Sequence, residues 1–164
     1  MSTDLDYEGE LAVIIGKPGR YIKEEDALRH VAGYSCFNDG SFRDWQEHTH
    51  QISPGKNFAG TGALGPCMVT PDEIEDLSAL RLQTRLNGIV MQSATIAEMI
   101  FSVQRIIAYV SGFTRLAVGD VIATGTPGGV GFKRDPKVFV KEGDVVEVEI
   151  DSVGVLRNRI AGPV

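Results

Sequence analysis

Hydrophobic and polar positions along this chain change their period from place to place, and each change predicts an element. Residues 11–16 (Leu-Ala-Val-Ile-Ile-Gly) are apolar on both faces, the pattern of a buried strand, and Lys17-Pro18-Gly19-Arg20 stops it as a turn. Residues 24–31 predict a short helix, with acids in the first turn and Gly33 as its stop. A second strand over 33–38 runs into a polar stretch from 39 to 62. That stretch is long and irregular for a small domain, which makes it a candidate functional loop. Thr70-Pro71-Asp72-Glu73 predicts a helix start, with Thr70 as N-cap, proline in the first position and Glu73 closing a capping box.

Residues 80–86 alternate apolar and polar up to Asn87-Gly88, and an apolar run over 89–92 follows, which is a hairpin pattern. Ser93 then predicts the cap of the longest helix. Ile96, Met99, Ile100, Val103, Ile106, Ile107 and Val110 share one of its faces, as core or in part as a dimer face, and Gly112 follows its end. Further strands are predicted over 121–124, 138–140, 145–150 and 153–160, with Gly119-Asp120 and Gly143-Asp144 as turns. There is no βαβ alternation, so a doubly wound sheet is disfavoured. The reading is an α+β, mostly β fold with one long packed helix and short helices.

At 164 residues, 43% of them hydrophobic and 23% charged, the chain suits one folded domain with its own core. Lys and Arg number 16 against 22 Asp and Glu, a formal charge of −6. That balance argues against nucleic acid or an anionic membrane as partner, since either needs a basic face. Cys36 and Cys67 are too few for a disulfide framework and lack basic neighbours that would activate a thiol, which points to a reducing cytoplasm and away from cysteine catalysis. The first residues are acidic where a signal peptide is basic, and the apolar run over 94–110 is broken by Glu98, Gln104 and Arg105. A soluble intracellular protein is expected.

Glu8 and Glu10 stand two apart where the first strand begins, so they point to one face, and the apolar residues that follow place them at the mouth of a core. Like charges there repel unless a cation lies between them, and a divalent ion answers that need. From spacing alone an acidic tail, continued by Asp4 and Asp6, fits as well. Glu147 and Glu149 are also two apart, but they alternate with Val146, Val148 and Ile150 and read as solvent-facing. In residues 38–46, Asn38, Asp39, Ser41, Arg43 and Gln46 gather varied polar chemistry after a strand. Asp39 offers a third carboxylate, a set suited to Mg²⁺ or Mn²⁺. Capping and turning explain Asn38 and Ser41 and leave Arg43 and Gln46 over. Gly60-Thr-Gly-Ala-Leu-Gly65 matches a dinucleotide fingerprint but follows no predicted strand and meets Pro66 where a helix should open. His48 and His50 lack partners at zinc-ligand spacing and read as surface loop, with a role as base left open; His30 reads as structural. The glycines of 125–131 would let backbone approach a ligand closely.

Several segments together resemble the catalytic C-terminal domain of the fumarylacetoacetate hydrolase family. They are Asp-Tyr-Glu-Gly-Glu-Leu-Ala-Val-Ile-Ile-Gly (6–16), Val-Ala-Gly-Tyr (31–34), Asn-Asp-Gly-Ser-Phe-Arg-Asp-Trp-Gln (38–46), Pro-Gly-Lys-Asn-Phe (54–58) and Gly-Pro-Cys-Met-Val-Thr (65–70). Leu-Asn-Gly (86–88), residues 119–131 around Thr-Gly-Thr-Pro, and Gly-Asp-Val-Val-Glu-Val-Glu-Ile (143–150) continue it. The resemblance implies a mixed β-sandwich roll over 1–164, a single domain lacking the family's usual N-terminal segment, and a homodimer. It implies Mg²⁺, Mn²⁺ or Ca²⁺ on Glu8, Glu10 and Asp39, and Arg43, Gln46, Lys56 and Thr126 as substrate contacts, the first three also catalytic.

The implied substrates are 2-keto or 2,4-diketo acids, handled through a metal-bound enolate. Hydrolysis of a C–C bond in an acylpyruvate or fumarylpyruvate is the leading expectation. The alternatives are an isomerase or decarboxylase of 2-hydroxymuconate-type or oxaloacetate-type acids in aromatic catabolism, and a truncated metal-binding module without turnover. The last is motivated by a His–Glu pair that some members carry upstream.

Overall fold

In the computed structural model, which describes residues 2–162, turn chemistry and strand alternation divide the chain into ten strands and two α-helices joined by 3-10 turns. Residues 1, 163 and 164, the ends of the expected domain, lie outside the described residues. The strands are β1 (Leu5–Asp6), β2 (Gly9–Ile15), β3 (Val31–Asp39), β4 (Ser41–Phe42), β5 (Gly62–Val69), β6 (Arg81–Leu86), β7 (Ile89–Thr95), β8 (Val121–Ala123), β9 (Val145–Ile150) and β10 (Gly154–Arg159). Helix α1 is Arg43–Gln46 and α2 is Val103–Phe113. Two four-stranded sheets, ordered β5-β3-β2-β8 and β10-β9-β6-β7, are accompanied by the short pair β1-β4. Every pairing is antiparallel.

The core is the apolar space between the two sheets. Leu11, Val13 and Ile15 of β2 and Tyr34 and Cys36 of β3 meet Leu82 of β6 and Val148 and Ile150 of β9. Val103 and Ile107 of α2 close one end of it, and α2 also packs on the 3-10 turn Glu24–His30. The Asn87-Gly88 hairpin forms as expected, with φ of 52° and 81°, the left-handed pair that a two-residue turn requires. The α+β, mostly β roll expected from the sequence is the observed architecture.

Some local expectations are overturned, and each for a reason of pairing. Ser93 caps no helix, because β7 continues to Thr95 and pairs with β6 as far as Arg81. The Ile96 amide then donates to Leu80 O at 2.9 Å, so the backbone there belongs to the hairpin. Residues 96–98 make one 3-10 turn, and α2 starts only at Val103 under the Ser102 cap. Ile96 and Met99 still pack on the core from that turn, whereas Ile100 is 91% exposed, and Gly112 lies inside α2 rather than after it. The helices expected at 24–31 and after Thr70 are 3-10 turns, the second with its capping box intact. Residues 138–140 form no strand, although Val140 N–H donates to Leu5 O. Glu147 and Glu149 do not simply face solvent, since Arg85 bridges both and Arg157 reaches Glu147. No helix among the described residues is long and apolar enough to cross a membrane.

Both cysteines are free, and their surroundings separate them. Cys36 is wholly buried between the sheets, and burial pushes its thiol up to about 11, while Cys67 is exposed. Because the thiolate is the reacting form, iodoacetamide at pH 8 is expected to leave Cys36 unmodified in the native protein and to modify Cys67. Mass spectrometry should show one adduct before denaturation and two after it. Native modification of Cys36 would contradict the packing described.

Candidate metal centre

The strand period and the β2–β3 register build this site. Alternation along the chain puts Glu8 and Glu10 on one face, with Gly9 between them turned to the opposite sheet. A Cβ on Gly9 would stand 2.0 Å from Thr84 Oγ1, so only glycine lets the two glutamates be carried this close to β6. Gly9 pairs with Asn38 across the ladder, Asn38 Oδ1 accepts from Glu8 N at 3.0 Å, and Asp39 N donates to Glu8 O at 2.8 Å. These bonds bring Asp39 beside Glu8. One carboxylate oxygen each from Glu8, Glu10 and Asp39 lies within 4.8 Å of the others.

Glu8 and Glu10 are 8% and 3% exposed, so their charges are largely stripped of water. Burial raises the Glu10 carboxyl to about 7. The Gly125 N–H, 2.8 Å from Oε2, opposes the rise, the charges of Asp39 and Glu8 add to it, and Lys56 opposes it. Positive charge within the cluster comes from two side chains of the 39–62 stretch. Lys56 Nζ donates to Glu8 Oε2 and to Asp39 Oδ2, both at 2.6 Å. Burial alone would lower the Lys56 ammonium, but the hydrogen bonds with Asp39 and Glu8 outweigh it and hold it above the ordinary lysine value. Arg43 Nη1 lies 2.6 Å from Glu8 Oε1 and donates to Gln46 Oε1 at 3.0 Å.

Local packing explains how that stretch delivers its residues. Arg43 and Gln46 sit on the one-turn helix α1, and Lys56 ends the 3-10 turn Ser53–Lys56. The two turns touch at Gly55, where a Cβ would meet Gln46 Cγ at 2.4 Å and Phe42 O at 2.6 Å. Phe58 pins them, with its ring 4.3 Å from Phe42 and 5.0 Å from Trp45. The loop read as irregular is thus a folded platform.

The structure brings Glu8, Glu10, Asp39, Arg43, Gln46 and Lys56 together. Thr126 is differently placed, since its hydroxyl donates to Gly9 O at 2.9 Å and accepts from Gln92 Nε2 at 2.8 Å, which ties the 124–128 loop to β2 and β7. His48 is exposed and stacks on Trp45, and neither it nor His50 joins the acidic cluster. A cleft of about 530 Å³ is lined by the 124–128 loop and by residues 93–96 and 98–101, and Glu8, Glu10 and Asp39 are not among its lining residues. Asp6, which in sequence could continue an acidic tail, is wholly buried and accepts from Tyr7 N, Gly131 N, Phe132 N and Arg43 Nε at 2.8 to 2.9 Å. Its place two residues before Glu8 was the available signal.

The donor set fits a hard divalent cation. It is all carboxylate oxygen, converging, short of water and carrying more negative charge than one ammonium and one guanidinium balance once Asp6 is counted.

The likeness to known proteins is specific. The fumarylacetoacetate (FAA) hydrolase C-terminal family matches residues 1–161. The chain is 47% identical over 161 residues to the mitochondrial oxaloacetate tautomerase FAHD2A of Bos taurus, covering 97% of this chain and 51% of that protein. It is 43% identical over 160 residues to oxaloacetate tautomerase YisK of Bacillus subtilis (strain 168), covering 98% and 53%. The chain spans about half the length of these curated relatives. The solved structure of a fumarylacetoacetate hydrolase from Exiguobacterium antarcticum matches with a TM-score of 0.95 at 43% identity, over 99% of this chain and 58% of that one. The chain belongs to the fumarylacetoacetate hydrolase family.

Proposed function

We propose that this chain carries the catalytic site of a divalent-metal-dependent tautomerase or isomerase acting on oxaloacetate-type 2-keto acids. The observation that carries the reading is the convergence of Glu8, Glu10 and Asp39 within 4.8 Å, flanked by Lys56 and Arg43. The choice of reaction is supported by the two oxaloacetate tautomerases at 47% and 43% identity. It replaces C–C bond hydrolysis, the leading expectation from sequence, which these relatives support less well.

Tautomerisation moves one proton from carbon 3 of the acid to the oxygen on carbon 2, with no water added. A divalent cation on Glu8, Glu10 and Asp39 would supply positive charge against the substrate's oxygens. Lys56, kept charged by its two carboxylate partners, is placed to hydrogen-bond an oxygen that gains negative charge. Arg43 offers its Nη1 end, now shared between Glu8 and Gln46, to the substrate carboxylate. Thr126 acts from the loop that also holds Glu10, through the Gly125 amide. The free thiols fit a reducing compartment such as the cytoplasm, and exposed Ile100, Phe101, Tyr109 and Phe113 offer a face for the homodimer that the family resemblance implies.

Two measurements test the reading. Mg²⁺ or Mn²⁺ at about 100 times its dissociation constant is expected to raise the thermal midpoint by roughly 5–10 °C, and Glu10→Ala should abolish the rise. A Glu10→Ala variant that keeps both the shift and full activity removes the site assignment. With metal present, ultraviolet absorbance should record accelerated keto–enol interconversion of oxaloacetate, and Arg43→Met should lower kcat/KM about 100-fold. Cleavage of acylpyruvates without tautomerisation would restore the hydrolytic reading. Release of pyruvate from oxaloacetate would identify a decarboxylase, and metal binding with no turnover on any of these acids a non-catalytic module.

A further inference from the structure

Beneath the residues that face the substrate lies a buried carboxylate that the proposed chemistry does not use. Asp6 sits in β1, is 0% exposed, and its two oxygens are divided between backbone and guanidinium. Oδ1 accepts from Tyr7 N at 2.9 Å and Gly131 N at 2.8 Å. Oδ2 accepts from Phe132 N at 2.9 Å and from Arg43 Nε at 2.9 Å, with Arg43 Nη2 2.8 Å away. Three of these partners are main-chain amides, which have no rotamers to lose, so the carboxylate is fixed from the backbone side.

The Gly129–Phe132 segment is itself pinned. Tyr7 Oη donates to Gly129 O at 3.0 Å, and Arg134 Nε donates to the same oxygen at 3.1 Å. At Gly131 a Cβ would stand 1.8 Å from Val138 O and 2.8 Å from Asp6 Oδ1, so glycine is what lets this amide reach the carboxylate. The Phe132 ring centroid lies 5.8 Å from Arg43 Cζ and walls one side of the guanidinium.

A guanidinium has two hydrogen-bonding edges, and here they have separate uses. Nε donates to Asp6 Oδ2, with Nη2 buried at ion-pair distance from the same oxygen and making no hydrogen bond, which leaves Nη1 directed at Glu8 Oε1 and Gln46 Oε1. We infer that Asp6 is a positioning residue: by binding Arg43 from the rear it fixes the Nη1 end, which Glu8 and Gln46 now hold and which a substrate carboxylate would take over from them. The inference rests on the reading of Arg43 as a substrate contact. It assigns the Gly129–Phe132 loop the task of aiming that contact.

Nuclear magnetic resonance of the full chain tests the anchor without reference to activity. The Arg43 Nε–H resonance, identified by its loss in Arg43→Lys, is expected to exchange slowly with solvent and to become fast in Asp6→Asn. Free exchange in the unaltered protein overturns the inference, and this observation stands even if Asp6→Asn does not fold. Calorimetry of oxalate binding in saturating Mg²⁺ tests the consequence. Asp6→Asn should weaken oxalate about 30- to 100-fold while the Mg²⁺-induced rise in thermal midpoint is kept. In an Arg43→Lys background the same change should cost less than about 3-fold, because both variants act through one group. Losses that multiply in the double variant would overturn the inference and leave Asp6 a clamp for the loop alone. An unaltered protein that binds Mg²⁺ but not oxalate would count against the proposed function, while the Arg43 exchange measurement would still decide the role of Asp6.

Discussion

Like charge buried at one end of a β-sandwich is the constraint to which the rest of this molecule answers. Asp6, Glu8 and Glu10 are almost without water, and Asp39 stands beside them only partly exposed. Carboxylates so placed either take up protons or gather cations. Both responses are visible. The Glu10 carboxyl is raised by burial to about 7, and Lys56 and Arg43 are drawn in to 2.6 Å from Glu8. Removing one member of such a buried pair costs about 3–5 kcal/mol, so the arrangement is retained only where the fold holds every partner in place.

The fold does so through main-chain geometry more than through side-chain adaptability. The β2–β3 ladder sets Glu8 against Asp39, and glycines at 9, 55 and 131 remove the Cβ atoms that would otherwise force neighbouring segments apart. Backbone amides at Gly125, Gly131 and Phe132 bind the carboxylates from behind. The hydrophobic core between the sheets keeps those strands in register. A family whose members are named for different reactions can keep one scaffold and vary what approaches it.

Legibility in the sequence followed the range of the interactions. Asn87-Gly88 and the Thr70 capping box act within four residues, and both were readable. The Glu8/Glu10 alternation was readable because period 2 survives in the sequence of β2. The Ser93 helix was misplaced because β7 keeps pairing to Thr95 with a partner chosen by the whole sheet, while Ile96 and Met99 reach the core from a turn that mimics helical spacing. Asp6 was missed because its partners lie 37 residues away at Arg43 and 125 and 126 residues away at Gly131 and Phe132. Residue chemistry alone offered Asp39 and singled out Arg43 and Gln46, and resemblance to a family added Lys56 and Thr126. Only the structure supplies the reason Asp39, Arg43 and Lys56 belong together, which is mutual neutralisation of charge.

Glu8, Glu10 and Asp39 are proposed to hold one divalent cation. Crystals of this chain grown with Mn²⁺ and measured for anomalous scattering test it most directly. A single strong anomalous peak bonded to oxygens of all three carboxylates is expected, with Arg43 still held by Asp6. A peak bonded elsewhere, or none at the cluster in a protein that Mn²⁺ activates, would contradict it.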